Sequence, residues 1–167
     1  MCGIVGLFIK DPALEPELGA MLATMLGVMC DRGPDSAGFA VYGDGTPGAI
    51  KLTLRGPAGT DFAALGSALG AEIVARDTHA VLTVLAAGET ASRAKLAELA
   101  PGIAIVGAGT RMELYKEIGL PSDVATRFGL GRMSGSHGIG HTRMATESAV
   151  TTDGAHPFST GPDQCLV

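Results

Sequence analysis

The chain opens Met1-Cys2-Gly3-Ile4-Val5-Gly6-Leu7-Phe8, and the reading of this stretch decides the fold. Ile4, Val5, Leu7 and Phe8 form a short apolar run with β-branched and aromatic members, which predicts a buried strand. Such a strand would hold Cys2 at a fixed depth. A cysteine directly after the initiator methionine is small enough for that methionine to be trimmed. Trimming gives one residue both a thiol and a free α-amino group. The amine titrates at about 7.7–8.0, so near neutral pH it accepts the proton of the thiol beside it. Nucleophile and general base then come from a single residue. Cys2 also reads as a small apolar residue that merely begins a core strand.

Outward from this strand, Asp11-Pro12 marks a turn and a helix start. Leu14, Leu18, Met21, Leu22, Met25, Leu26 and Met29 then recur at helical spacing and predict an amphipathic helix over 14–29. Asp31-Arg32-Gly33-Pro34-Asp35-Ser36 is dense in turn residues. Residues 37–42 read as a second strand, and Ile50, Leu52 and Leu54 alternate with Lys51, Thr53 and Arg55 as a half-buried strand returning from a hairpin.

The pattern changes over about 57–131, which reads as a compact α/β insertion. Its expected elements are helices at 61–69 and 91–99, strands at 79–85 and 103–106, and helices at 112–118 and 122–128. Within it, Val106-Gly107-Ala108-Gly109-Thr110-Arg111 begins like a phosphate-binding glycine turn, but the third glycine and a ribose-binding acid are missing. Strand-like sequence returns at 138–146, a polar loop follows through Glu147, Thr151, Asp153 and His156, and 164–167 reads as a final strand.

At 167 residues the chain is the size of one domain with a real core. Its residues are 46% apolar but only 4% aromatic, so aliphatic side chains must fill that core. A net charge of −5 with 12 Lys and Arg argues against nucleic acid as the main partner. No apolar run reaches the ~18 residues of a membrane span, and a signal peptide is not apparent. Three widely separated cysteines suit free thiols in a reducing compartment, with the cytoplasm as the default. The four histidines do not form a metal set; His137 and His141 are four apart but lie in apparent strand.

Arg143 lies among small and apolar residues where a strand reaches a loop, and its fork suits a carboxylate held at two points. It also reads as a core-edge arginine paired with an acid. Thr146 follows three residues later, where its hydroxyl and backbone could complete a polar pocket. Arg32 and Asp35 read as partners across a turn. A Cys–His pair drawn from Cys2, Cys30 or Cys165 against His141 or His156 stays open.

Three stretches together resemble one family: Met1-Cys2-Gly3-Ile4-Val5-Gly6, Arg32-Gly33-Pro34-Asp35-Ser36-Ala37-Gly38, and Gly140-His141-Thr142-Arg143-Met144-Ala145-Thr146 with Ala155-His156-Pro157-Phe158. They look like the class-II glutamine amidotransferases, which are N-terminal nucleophile hydrolases. The likeness covers about 1–56 and 132–167, and the insertion resembles only the amidotransferase subunit of N-methylglutamate synthase and glutamate-synthase-like complexes.

This resemblance implies an α+β fold, the N-terminal part of a four-layer αββα sandwich. Cys2 would attack the side-chain amide of glutamine, Arg143 would clamp the α-carboxylate, and Thr146 would line the same pocket. Arg32, Asp35 and His156 would support the loops around the nucleophile. The broader family often has Trp and His where this chain has Met144 and Glu147. An Asn-Gly oxyanion hole would follow the strand at 165–167, as would an aspartate for the substrate amine, so residues 1–167 alone are expected to be inactive. The implied partners are glutamine or a glutamate-like small molecule and synthase subunits in a hetero-oligomer, and the alternative is a non-hydrolytic regulatory subunit that recognises a glutamate-like ligand and assembles the complex. The chain itself would carry no cofactor, with flavin and iron–sulfur clusters on those partners.

Overall fold

The computed structural model describes residues 2–146 and 149–167. The expectations placed on Met1 and Glu147 lie outside the described residues. The fold is α+β and is built on antiparallel sheets. The first sheet runs in the order β1 (Gly3–Phe8), β8 (His137–Arg143), β2 (Ser36–Tyr42) and β7 (Met112–Ile118). The second runs β4 (Glu72–Arg76), β5 (His79–Leu85), β3 (Ala49–Arg55) and β6 (Ala104–Gly109). A small hairpin of β9 (Phe158–Gly161) and β10 (Gln164–Leu166) completes the set.

Helices α1 (Leu18–Gly27) and α4 (Pro121–Arg127) cover one face of the first sheet. Leu18, Leu22 and Leu26 of α1 are fully buried with Phe39 of β2 and Phe128 after α4. The close approach explains the small residues of β8. A Cβ on Gly138 would stand 2.8 Å from Leu22 Cδ2, and one on Gly140 2.8 Å from Leu26 Cδ2. Helices α2 (Phe62–Leu69) and α3 (Glu89–Leu99) cover the second sheet, where Phe62, Leu65 and Leu96 meet Leu52, Leu54 and Leu82.

The other face of the second sheet packs on β7. Lys51 Nζ bonds Glu113 Oε1 at 2.8 Å, the Leu114 amide donates to Thr53 Oγ1 at 3.2 Å, and His79 lies against Tyr115 and Phe128. This covers what would otherwise be a bare sheet edge.

Several expectations need correction. The helix expected at 14–29 is a 3-10 helix at Pro12–Glu17 followed by α1, because Pro16 lacks the N–H that a continuous helix needs. Residues 112–118 are strand β7 rather than a helix, paired with β2 in seven-residue register from Ser36↔Ile118 to Tyr42↔Met112. Glu113, Lys116 and Glu117 favour a helix locally, but pairing along a largely buried strand outweighs that preference. β2 and β3 are not a hairpin: β3 pairs with β5 and β6 in the second sheet. Strands β4 and β9 carry no strong sequence signal and were not expected. Residues 57–131 supply most of the second sheet together with β7 and α4 of the first layer.

Candidate functional site

Strand register sets the site. β8 lies between β1 and β2, with Gly3↔Thr142 on one side and Ser36↔Arg143 on the other. One step further along the first pairing, Cys2 falls beside Arg143. Side chains alternate along strands, and Val5, Leu7, Phe39 and Val41 point into the helix-covered core. The opposite face therefore carries Ile4, His141 and Arg143, and the alternation continued by one residue adds Cys2. Cys2 is exposed, as a nucleophile must be.

The loop 29–35 closes this end of the sheet. A parallel bridge joins Pro34 to Arg143, and the Asp35 amide donates to Arg143 O at 3.2 Å. The Asp35 carboxylate accepts from the Ala145 amide at 2.7 Å. The expected Arg32–Asp35 ion pair does not form among the described residues, since Asp35 turns to Ala145 instead. Arg32 is exposed, and its amide donates to Met29 O at 3.0 Å. Thr146 is exposed at the end of the described part of this loop.

A second segment, 151–158, lies across the same face. Lys116 of β7 donates to Ala155 O at 2.8 Å and Asp153 O at 3.2 Å, and its ammonium sits 4.1 Å from the Phe158 ring centroid. Arg55 pairs with Asp153 at 2.6 Å, and Thr152 donates to Glu117. The His156 ring packs against His141 in a tilted arrangement, with centroids 4.5 Å apart. Its backbone carbonyl presses on Gly38, where any side chain would collide.

The electrostatics follow from this crowding. Burial pushes His141 down to about 4, with help from His156 and Arg143, and burial also lowers His156 beside Lys116 and Arg143. Burial lowers Lys116 to about 8, partly offset by Asp153. Both imidazoles are thus neutral at pH 7. The Nδ1 atoms of His141 and His156, Ser36 Oγ and Thr142 Oγ1 are buried without hydrogen-bond partners among the described residues. Four such groups at one sheet end are unusual, because buried polar atoms are nearly always paired.

Cys30 and Cys165 contact hydroxyls rather than imidazoles, namely Ser122 Oγ at 3.7 Å and Tyr42 Oη at 3.5 Å. Among the described residues, no three His, Cys, Asp or Glu gather as metal ligands. Sequence reasoning missed Lys116 and Ser36. Lys116 gave no signal, because, with Glu113 and Glu117 around it, it reads as one of several surface charges.

No family model matches the chain. It is 57% identical to the "Glutamine amidotransferase-like protein GlxB" of Rhizobium meliloti over all of this chain and 58% of that protein. It is 30% identical, over 95% of this chain and 56% of the relative, to a Methanothermobacter thermautotrophicus protein provisionally described as a glutamine amidotransferase. These likenesses support a glutamine amidotransferase domain. A shorter match, 38% identical over 37% of the chain, reaches a glutamine–fructose-6-phosphate aminotransferase of Streptococcus pyogenes. The chain spans little more than half the length of the first two relatives. No helix among the described residues is long and apolar enough to cross a membrane.

Proposed function

We propose that the chain is the N-terminal part of a class-II glutamine amidotransferase of the N-terminal nucleophile hydrolase type, with the first sheet and its helices as one half of an αββα sandwich. The observation that carries this reading is the register of β1 on β8, which, continued by one residue, sets Cys2 beside Arg143 on the face opposite the helix-covered core. Once Met1 is removed, the α-amine takes the thiol proton and the sulfur attacks the side-chain carbonyl carbon of glutamine. The C–N bond breaks, the nitrogen leaves as ammonia with the proton from the amine, and water then cleaves the thioester to glutamate. Arg143 holds the α-carboxylate, with Thr146 at the pocket edge. Arg32, Asp35 and His156 hold the surrounding loops.

The finer assignment is to the amidotransferase subunit of an N-methylglutamate-synthase-like complex. There the nitrogen passes to a synthase partner in a cytoplasmic hetero-oligomer, and flavin and iron–sulfur clusters belong to the partners.

The test is intact mass of the full-length protein, purified with its partners, after exposure to 6-diazo-5-oxonorleucine. Loss of Met1 and one adduct on Cys2, absent in Cys2→Ala, is expected. A folded sample that keeps Met1 or takes no adduct would overturn the glutaminase reading.

A further inference from the structure

At the far end of β2 from Cys2 lies a polar cavity of about 230 Å³, lined by Lys51, Arg76, Arg132, Asp44, Glu113 and Ser134. Six residues separate Ser36 from Tyr42, so at ~3.3 Å per residue the cavity is about 20 Å from the Cys2 end. It is therefore a separate place on the protein.

Three cations and two carboxylates face this space, and one carboxylate is already engaged. Glu113 accepts from Lys51 Nζ at 2.8 Å through Oε1 and from Tyr115 Oη at 2.9 Å through Oε2. Asp44 is exposed at the rim. No carboxylate among the described residues pairs with Arg76 or Arg132.

Arg76 is held in place by packing, its guanidinium carbon 6.0 Å from the Tyr115 ring centroid. Its Nε is buried and has no hydrogen-bond partner among the described residues. A buried, charged N–H without an acceptor is rare in a folded protein. At about 30 Å³ per liquid water, the cavity holds roughly seven waters or one small anion. A guanidinium fixed by an aromatic face, with a second guanidinium on the same wall, is the donor set that grips planar or tetrahedral oxyanions.

We infer that this cavity binds a small oxyanion, the carboxylate or phosphate group of a metabolite, through the guanidinium groups of Arg76 and Arg132 that line it. Asp44 at the rim disfavours highly charged anions and admits a ligand that also carries an amine. The site takes no part in the chemistry at Cys2.

The test is isothermal titration of the full-length chain at constant ionic strength, with inorganic phosphate in one arm and glutamate in the other. The background is Cys2→Ala/Arg143→Gln, so that the proposed substrate pocket contributes nothing. Saturable binding of either probe is expected, weakened tenfold or more by Arg76→Gln and by Arg132→Gln. Phosphate alone binding identifies a phosphorylated ligand, and glutamate alone a carboxylate. Silence in both arms, or binding that neither arginine variant weakens, overturns the inference. Arg132 is exposed, so its variant decides the matter if Arg76→Gln fails to fold.

Discussion

The Asp35 carboxylate and the Ala145 amide meet at 2.7 Å across 110 residues of chain. With the Asp35 amide bonded to Arg143 O at 3.2 Å, this stitches the loop after α1 to the exit of β8 at Arg143 and again two residues beyond it. The backbone that carries the proposed carboxylate clamp is therefore fixed before any substrate arrives.

Replacing Asp35 by Ala removes the acceptor and leaves the Ala145 amide unsatisfied. A hydrogen bond to a charged group contributes about 1.5–3 kcal/mol, so on the proposed function kcat/KM of the full-length protein for glutamine should fall roughly tenfold to a hundredfold. Most of the loss should appear in KM. Alkylation of Cys2 by iodoacetamide should be unaffected, because the thiol itself is untouched. Loss of both together would mean that Asp35 supports the fold rather than the clamp.

Gly33 and Gly27 make a paired test of backbone space. A Cβ on Gly33 would lie 2.6 Å from both the Arg143 amide nitrogen and the Thr142 carbonyl carbon, whereas one on Gly27 would meet nothing within 4 Å. Gly33→Ala must push the loop off β8 and should lower Tm and glutamine turnover together. Gly27→Ala, near the end of α1, should raise stability by about 0.5–1 kcal/mol through helix propensity alone. Thermal unfolding of the two variants checks both signs.

Much of the site was legible because its residues are local and chemically marked. The apolar run behind Cys2 forces β1, although as an edge strand it leaves Ile4 and Phe8 exposed rather than buried, and the small residues before Arg143 are what α1 requires of β8. The loop at 31–36 was readable as a turn, but the partner of Asp35 was not, since Ala145 contributes only its backbone. β7 was misread because Glu113, Lys116 and Glu117 look solvent-facing until the second sheet supplies Lys51 and Thr78 and the 151–158 segment supplies backbone carbonyls. The glycine turn at 106–111 was half-legible. It does cradle an anion, but the anion is the chain's own Asp163.

Stability should fall as pH drops from about 6.5 towards 4. Burial holds both His79 and His141 down to about 4, although Glu117 pulls His79 the other way. Between the two values the unfolded chain binds protons that the folded chain refuses, so unfolding is favoured as pH falls. Each histidine contributes up to about 1.4 kcal/mol per pH unit in that window. Urea unfolding at pH 7, 6 and 5 should show a falling midpoint, and His79→Phe should flatten part of the dependence. A midpoint that stays level from pH 7 to 5 would contradict neutral burial of both rings.

The last prediction concerns Asp163, which ties the β9–β10 hairpin to the turn between β6 and β7. Its carboxylate accepts from Thr110 N at 2.8 Å, Thr110 Oγ1 at 2.7 Å, Arg111 N at 2.8 Å and Met112 N at 2.9 Å. Burial alone would raise this carboxyl, but those donors drive it down to about 2. Its contribution is thus complete above the ordinary carboxylate range and disappears as pH falls from about 4 to 2. Asp163 also sits at φ 54, a conformation that Asn tolerates at least as well as Asp. Asp163→Asn therefore isolates the charge and the second acceptor oxygen from backbone strain, and should cost about 2 kcal/mol. Amide exchange over 158–166 should quicken in the variant while β1 and β8 keep their protection. The acid limb of the unfolding curve below pH 4 should also become shallower. If exchange in the hairpin is unchanged, then β9 is held by its packing on β6 and Lys116, and the carboxylate is incidental.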